Sequence, residues 1–270
     1  MTIKPLSSIP FEDLIQCFLI AFEDYYVVLP EDTEYWRARF VTARVDWDLS
    51  FGMFQKELLV GYVIHGIDKH EGKLTAYNTG TGVIPAFRAN GIVDKIYAHA
   101  FPMLKEKGVE TCLLEVICEN TRAIRVYQRI GFSIKRKLRS FTGELPQKLL
   151  AKRLQKRHFS EVLEPGLYCE SHYAWENTAA AVKLLKENVV TYALASEDEI
   201  QEYIVIDKDH NMIQLESQSG KWSELLHAAG TIAKLVKLKN VDAGRMELIK
   251  ELENLGFKSS VDQFEMQMDL

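Results

Sequence analysis

An α+β fold in two tandem copies is what this 270-residue sequence predicts. Three observations predict it. Apolar periodicity along the first half runs helix, helix, three short-linked strands, helix, strand, helix, strand. The same order returns in the second half. A Gly-Phe pair then marks the same helix-to-strand junction in both, in "RIGFSIKRK" at 129–137 and "NLGFKSSVD" at 254–262. Each copy is expected to be a mixed, mainly antiparallel twisted sheet flanked by helices. The first domain is drawn at 1–145, a connector at 146–165 and the second domain at 166–270.

"IPFEDLIQCFLIAFEDYY" (9–26) has apolar residues at helical spacing with acids near its start, and "LPEDTEYWRARFVTARV" opens a second helix after Pro30. "DLSFGMFQKELLVGYVIHGIDKHEGKLTAYNTGTGVIP" holds three strands separated by "QKE" and "DKHEGK", a meander by its short links. A helix follows from Gly91 to Lys107 with Ile92, Ile96, Ala100, Met103 and Leu104 on one face, and Pro102 within it predicts a kink. "VETCLLEVI" (109–117) is a buried strand, "NTRAIRVYQRIG" (120–131) a helix ended by glycine, and "FSIKRKLRSF" (132–141) a strand. In the second half "NTAAAVKLLKENV" is helix, 190–218 carries three strands, and "WSELLHAAGTIAKLV" is helix. A strand near "LVKLKN", the helix "AGRMELIKELENLG" and a final strand "FKSSVDQFEMQMDL" complete it.

Hydrophobic residues make up 47% and charged residues 26%, the balance of a soluble globular protein, and no apolar run reaches the roughly 18 residues of a membrane span. The N-terminus turns acidic before a signal-type apolar core develops, so a cytoplasmic protein is expected. Cys17, Cys112, Cys118 and Cys169 lack metal-ligand spacing and predict buried reduced thiols, with no metal site. The net charge of −5 divides unevenly: 19 basic against 18 acidic residues up to position 150, then 14 against 20. No basic patch interleaved with aromatics argues for nucleic acid, and "KLLAKRLQKRH" (148–158) is expected to be a solvated helix face in the connector.

The stretch "VIPAFRANGIVDKI" (83–96) ends a strand and starts a helix within a few residues. Backbone N–H groups at a helix start lack intrahelical partners, and the helix dipole makes that end positive. Gly91 keeps side-chain bulk away, and Arg88 brings a guanidinium fork, so a pyrophosphate suits the loop. The stretch resembles the acyl-CoA-binding motif of the GNAT superfamily of N-acetyltransferases, Q/R-x-x-G-x-G/A after a strand ending in Val-x-Pro. "NTRAIRVYQRIGF" (120–132) resembles its second signature, an Asn at a strand end, an Ala, a Tyr and a Gly-Phe. The resemblance covers roughly residues 3–145. It departs at Val93, which stands where the pattern has Gly or Ala and crowds the phosphate, while Asp94 beside it adds repulsion.

The resemblance implies an acetyl-CoA cosubstrate lying in a splay between the strand ending at Val83 and the strand 109–117. Its pantetheine amides would pair with backbone around Thr81, Gly82 and Val83, and its pyrophosphate would rest on Arg88, Ala89, Asn90, Gly91, Ile92 and Val93. Asn120 would hydrogen-bond the pantetheine arm. Tyr127 would stand near the sulfur as general acid, the alternative being a tyrosine that packs its helix on the sheet. The general base stays open among Glu115, Glu119, Tyr77, Asn78, His65, His99 and water. The implied reaction moves an acetyl group to a primary amine, of a small molecule or a peptide, by direct transfer in a ternary complex. No nucleic acid or membrane partner is expected.

The second copy is expected to be degenerate. Aligning Gly256 with Gly131 puts Leu252 where Tyr127 stands, and aligning Gly220 with Gly91 puts Ser217 for Arg88 and Trp222 for Val93. Asn240 is a match for Asn120 at a different spacing. "YAWEN" (173–177) resembles the opening segment of carboxy-terminal GNAT-like halves. Such a half would pack against the first, wall the acceptor pocket or support a homodimer. Two other readings stand beside the transferase: a non-catalytic acyl-CoA-binding or regulatory module, and a purely structural interaction protein.

Overall fold

In the first half, Pro10 and a capping carboxylate on Asp32 set where the first two helices begin. The computed structural model describes residues 1–24, 26, 28–147, 154–163, 166–196 and 199–270. Backbone packing divides the chain into one unit of Met1–Lys135 with Glu265–Leu270, and a second of Arg136–Phe264. The sequence-drawn limits differ at two points. The division falls inside a strand rather than at 145, and the last six residues return to the first unit.

In the first unit, β1 (Thr2–Pro5) pairs antiparallel with β2 (Phe51–Gln55). The sequence reading missed β1, four residues being too few for alternation to register. Helix α1 (Phe11–Ala21) starts directly after Pro10 and stops short of the expected residue 26. Helix α2 (Thr33–Thr42) is capped by Asp32, whose Oδ1 accepts the Glu34 N–H at 2.9 Å. β2, β3 (Leu58–His70) and β4 (Lys73–Val83) form the expected meander. Glu71 (φ 49°) and Gly72 (φ 81°) link β3 to β4 in the left-handed conformation that suits a two-residue hairpin turn.

Helix α3 (Ile92–Glu106) continues through Pro102, and buries Ile92, Ile96, Tyr97, Ala100 and Leu104. Met103, expected on that face, is exposed. β5 (Thr111–Ile117) runs parallel to β4, and α4 (Thr121–Ile130) follows it. β6 (Ser133–Glu144) begins in the first unit and continues in the second. α1 and α2 cover one face of the meander through Leu14, Phe18, Trp36, Phe40, Tyr62 and Ile64.

In the second unit come β7 (Gln155–Arg157), α5 (Phe159–Leu163), α6 (Ala179–Leu185), β8 (Val189–Ser196), β9 (Glu199–Asp207) and β10 (Met212–Ser217). They are followed by α7 (Trp222–Ala229), β11 (Leu235–Asp242), α8 (Met246–Asn254), β12 (Lys258–Ser259) and β13 (Gln263–Asp269). β7 to β10 form an antiparallel sheet in the order β10-β9-β8-β7, and β11 and β12 each pair with β6. The helix expected across the basic stretch is not formed where it is described: residues 148–153 lie outside the described residues, and 155–157 are a strand paired with β8. "YAWEN" anchors this unit, with Tyr173 and Trp175 buried and the Asn177 amide donating to Lys239 O at 3.0 Å.

The repeated Gly-Phe junction has one geometry in both copies. Gly131 (φ 125°) and Gly256 (φ 81°) end α4 and α8, and the next N–H closes back on the helix: Phe132 to Tyr127 O and Phe257 to Leu252 O, each at 3.0 Å. Both phenylalanines then enter a core. The final strand does not behave as one piece. After β12 the chain leaves the second unit, and β13 lies beside β5, where Leu270 N–H donates to Glu110 O at 2.9 Å.

Candidate active site

β4 and β5 pair only from Thr75↔Thr111 to Asn78↔Leu114. Beyond that point β4 continues to Val83 and β5 to Ile117 without pairing to each other, which opens a wedge between them. The wedge begins where β4 carries a bulge: Ile64 faces Gly80 but His65 faces Asn78, so Thr79 is the extra residue. Strand alternation alone would send Asn78 and Thr81 to opposite faces. The extra residue brings them together, and the Asn78 Nδ2 donates to Thr81 Oγ1 at 2.7 Å and to Tyr97 Oη at 2.8 Å. Tyr127, 9% exposed, stands beside Thr81 and Asn78, whose side-chain hydrogen bonds only partly offset the burial that raises its pKa. The phenol is therefore protonated at neutral pH.

The other expected site residues occupy the end of β4 and the loop to α3. Gly82 has no room for a side chain, since a Cβ there would overlap the Tyr62 hydroxyl and lie 2.8 Å from Ala21 Cβ. Arg88 does not present its guanidinium outward as expected. Nε donates to Val83 O at 3.2 Å and an Nη to Ala21 O at 3.1 Å, so it ties the end of β4 to a last-turn carbonyl of α1. Ala89 (φ 66°) and Gly91 (φ 65°) are both left-handed around Asn90, whose Nδ2 donates to Phe87 O and Arg88 O at 3.1 and 3.3 Å. Gly91 is needed for that φ rather than for space, because a Cβ there would meet only Asp94 Oδ2, at 3.9 Å.

Ile92 and Val93 begin α3, whose first turn has no side-chain cap. Its N–H groups and dipole therefore keep an anion-binding end. The repulsion expected from Asp94 is offset. Arg129, on α4, grips that carboxylate with Nε and an Nη at 2.7 and 2.8 Å, which holds its pKa below the usual carboxylate range.

Asn120 follows β5, past Ile117, and caps α4, its Oδ1 accepting the Ala123 N–H at 3.1 Å. The carbonyl end of that amide is thus committed to the helix, and only its Nδ2 is left to meet an arm in the wedge. Of the open candidates for a base, Glu115 is half-buried past the last paired residue of β5 and Glu119 is exposed, its main-chain O accepting from Tyr26 Oη at 3.3 Å. His65 is buried, with Nδ1 2.7 Å from Leu49 O, and burial pushes its pKa down to about 4. His99 stacks edge-on against Phe51. Burial pushes the thiols of Cys17 and Cys112 up to about 12, so both are protonated at neutral pH and poor nucleophiles.

A sequence model of the acetyltransferase (GNAT) family matches residues 11–132, which span this wedge, the loop and both signature stretches. Residues 11–132 are a GNAT acetyltransferase domain. N-alpha-acetyltransferase 30 of Schizosaccharomyces pombe is 28% identical over 86 residues, 32% of this chain and 57% of that protein. The N-alpha-acetyltransferase MAK3 of Arabidopsis thaliana is 30% identical over 84 residues, 31% of this chain and 44% of that protein. The matched region thus spans about half the length of these curated relatives. A tandem GNAT protein of the clavulanic acid biosynthesis pathway superposes with a TM-score of 0.72 at 14% identity, covering 99% of this chain and 98% of that one. The whole chain therefore has a tandem GNAT fold.

The GNAT domain's counterpart loop in the second unit is built differently. Gly220 (φ 70°) shares the left-handed conformation of Gly91, but it lies one residue further from its helix, with Lys221 between it and α7. The hydroxyls of Ser217 and Ser219, however, donate to the buried Glu202 Oε1 at 2.8 and 3.0 Å. A carboxylate occupies the loop. Trp222 lies under the Arg245 guanidinium at 5.1 Å, and Leu252 is in the core. Asn240 does not match Asn120: it lies in a bulge within β11, and the residue before α8 is Arg245.

Sequence reasoning did not pick out Tyr97 or Arg129. Tyr97 neighbours Ile96 on the buried face of α3, where a tyrosine resembles any other core aromatic until a partner for its hydroxyl is known. Arg129 sits on the exposed face of α4 and carries no signal in sequence. Among the described residues no helix is long and apolar enough to cross a membrane.

Proposed function

We propose that the first unit is an N-acetyltransferase that transfers an acetyl group from acetyl-CoA to a primary amine within a ternary complex. The observation that carries this reading is the wedge left where β4 and β5 stop pairing after Asn78, with the buried, protonated phenol of Tyr127 near Asn78 and Thr81. Thr81, Gly82 and Val83 line the β4 side of that wedge and would pair their backbone with the pantetheine arm. The loop Arg88 to Val93 and the start of α3 would hold the pyrophosphate through backbone N–H groups, with Arg88 bracing the loop instead of touching phosphate. Asn120 would donate from Nδ2 to the arm.

In the transfer, the amine nitrogen attacks the thioester carbonyl carbon, a C–N bond forms and the C–S bond breaks. Sulfur leaves with the electron pair and takes a proton from Tyr127 Oη. The proton lost by the nitrogen replaces it through water, so the net products are an amide and a free thiol. The protonated thiols of Cys17 and Cys112 favour this direct course over an acyl-enzyme. Both curated relatives are named N-alpha-acetyltransferases, which makes peptide α-amines the first acceptors to try, ahead of polyamines, aminoglycosides and amino acids. The second unit would not bind CoA, because Glu202 holds the hydroxyls of its loop and Leu252 replaces the phenol. We place the chain in the cytoplasm; light scattering separates monomer from homodimer.

Release of free thiol from acetyl-CoA over a panel of peptide and small-molecule amines tests the reading, with Tyr127→Phe beside the parent. The expected loss in kcat is about 10²-fold or more, the usual contribution of a positioned acid. A parent that releases no thiol with any amine, yet shows a CoA-dependent thermal shift, would favour a non-catalytic acyl-CoA-binding module. That second reading has its own support in Arg88, whose guanidinium serves protein carbonyls.

A further inference from the structure

The second unit has a fork of its own. Asn211 bridges Lys237 in parallel, and Lys237 N–H donates to His210 O at 3.1 Å. Past that point β10 and β11 share no ladder among the described residues. Diverging strands leave inward-facing backbone groups in need of partners. Here the chain between α5 and α6 supplies them. Tyr173 Oη lies 2.7 Å from Glu216 Oε1 and 3.1 Å from Leu215 O, so its one hydrogen serves two acceptors on β10. Asn177 reaches both strands: its Nδ2 donates to Lys239 O on β11 at 3.0 Å, and its main-chain O accepts from Gln214 Nε2 on β10 at 2.7 Å. Arg136 adds a third tie, donating to Tyr173 O at 3.0 Å and to Asp242 Oδ2, at the end of β11, at 2.8 Å.

We propose that Tyr173–Asn177 is a plug, the second unit's built-in occupant of the fork between β10 and β11. The order β4, α3, β5 recurs as β10, α7, β11, so this fork is the counterpart of the wedge in the first unit. Its chemistry suits the occupant. Leu215 O, Lys239 O and the Glu216 carboxylate are acceptors, and a phenol and an amide bring them donors. Glu216 also holds Arg245 at 3.0 Å and His172 Nδ1 at 3.0 Å, which fixes the carboxylate in place. The plug is itself shaped: Tyr168 stacks on Tyr173 with ring centroids 5.5 Å apart, and Thr178 Oγ1 donates to Trp175 O at 2.9 Å. A segment of the same chain gives up no free translation on docking, so it outcompetes a dissolved ligand for the same strand edges. The serine loop bound to Glu202 denies this unit a phosphate seat; the plug denies it the pantetheine arm. Equating the fork with an arm's place rests on the proposed use of the first wedge, whereas the closure rests on the bonds above.

Amide hydrogen exchange on the full chain tests this, with the parent, Asn177→Ala and Tyr173→Phe measured with and without acetyl-CoA. In the parent, residues 212–217 and 235–242 should exchange slowly without ligand, and acetyl-CoA should change their rates by less than about twofold. Asn177→Ala should speed exchange in both strands about tenfold, the effect of one lost hydrogen bond, with β8 and β9 within about twofold of the parent. Tyr173→Phe keeps the ring and should speed residues 212–217 in the same way; if it fails to fold, Asn177→Ala decides alone. The plug is overturned if Asn177→Ala leaves both strands at parent rates, if β8 and β9 speed up equally, or if acetyl-CoA slows 212–217 in the parent. Acetyl-CoA should meanwhile slow residues 79–83 of β4 in the parent. Should it leave them unchanged, the reading of the first wedge fails, a result separate from the ligand-free rates that decide the plug.

Discussion

His65 lies in the sheet with Nδ1–H on the Leu49 carbonyl, and burial holds its pKa near 4. In the unfolded chain an imidazole takes a proton near pH 6.5, so between about 4 and 6.5 the unfolded state binds more protons than the folded one. Stability is therefore fully present above pH 6.5 and lost as pH falls through that window, by on the order of 3 kcal/mol at the acid end. Urea unfolding at pH 7 and 4.5 should show this loss, and His65→Gln should flatten it. Arg129 gives a second expectation at this scale. Arg129→Ala leaves the Asp94 carboxylate unpaired at the start of α3 and should raise KM for acetyl-CoA roughly three- to tenfold with kcat kept, whereas Asp94→Asn in the same chain should bring KM back. Tyr127 was legible in the sequence because a tyrosine four residues before Gly-Phe is a linear pattern. The meeting of Asn78 with Thr81 was not legible, because it depends on a bulge against β3.

β4 concentrates the site's requirements in one element. Its pairing to β3 is continuous apart from the bulge, and its pairing to β5 stops at Asn78, so one strand is structural along half its length and an open edge along the rest. Gly82 is fixed by packing: Gly82→Ala would drive a methyl into the Tyr62 hydroxyl and should lower stability by about 1–3 kcal/mol, read by thermal unfolding. The meander, the start of α2 after Pro30 and the glycine-ended α4 were legible from short links, proline and glycine. Two element-scale features were not legible in the sequence. The Arg88 side chain found carbonyls at the end of α1, a long-range partner no local pattern shows. The basic stretch 148–158 was expected as a solvated helix face, yet Gln155–Arg157 pairs with β8, and a short polar helix has little stability alone.

At the scale of the molecule, the first unit is not a continuous segment of chain. Glu265–Leu270 belongs to it, and β13 lies beside β5 with Met268 Sδ 2.9 Å from where a Cβ on Gly131 would be. Ending the chain after Phe264 should therefore leave β5 with an unpaired edge and lower the stability of the first unit, seen as an earlier thermal transition and as aggregation through the exposed strand. A fragment of residues 1–145 should behave the same way, and adding a peptide of residues 257–270 should partly restore it. The tandem order itself was readable from the recurrence of elements. The destination of the last strand was not, since an alternating strand records which face is apolar and nothing of which neighbour supplies its hydrogen bonds.

The sequence by itself determined the local and periodic features: most of the longer helices and strands, the two Gly-Phe junctions, the signature stretches of the acetyltransferase domain, and the lack of a phenol in the second copy. Tertiary structure alone decided what depends on residues far apart in the chain. It turned Arg88 inward, neutralised Asp94 with Arg129, joined Asn78 to Thr81 across a bulge and sent the final strand back to the first unit. Backbone propensity and hydrophobic period act over a few residues, whereas hydrogen-bond direction and charge pairing are fixed only when the chain has closed on itself.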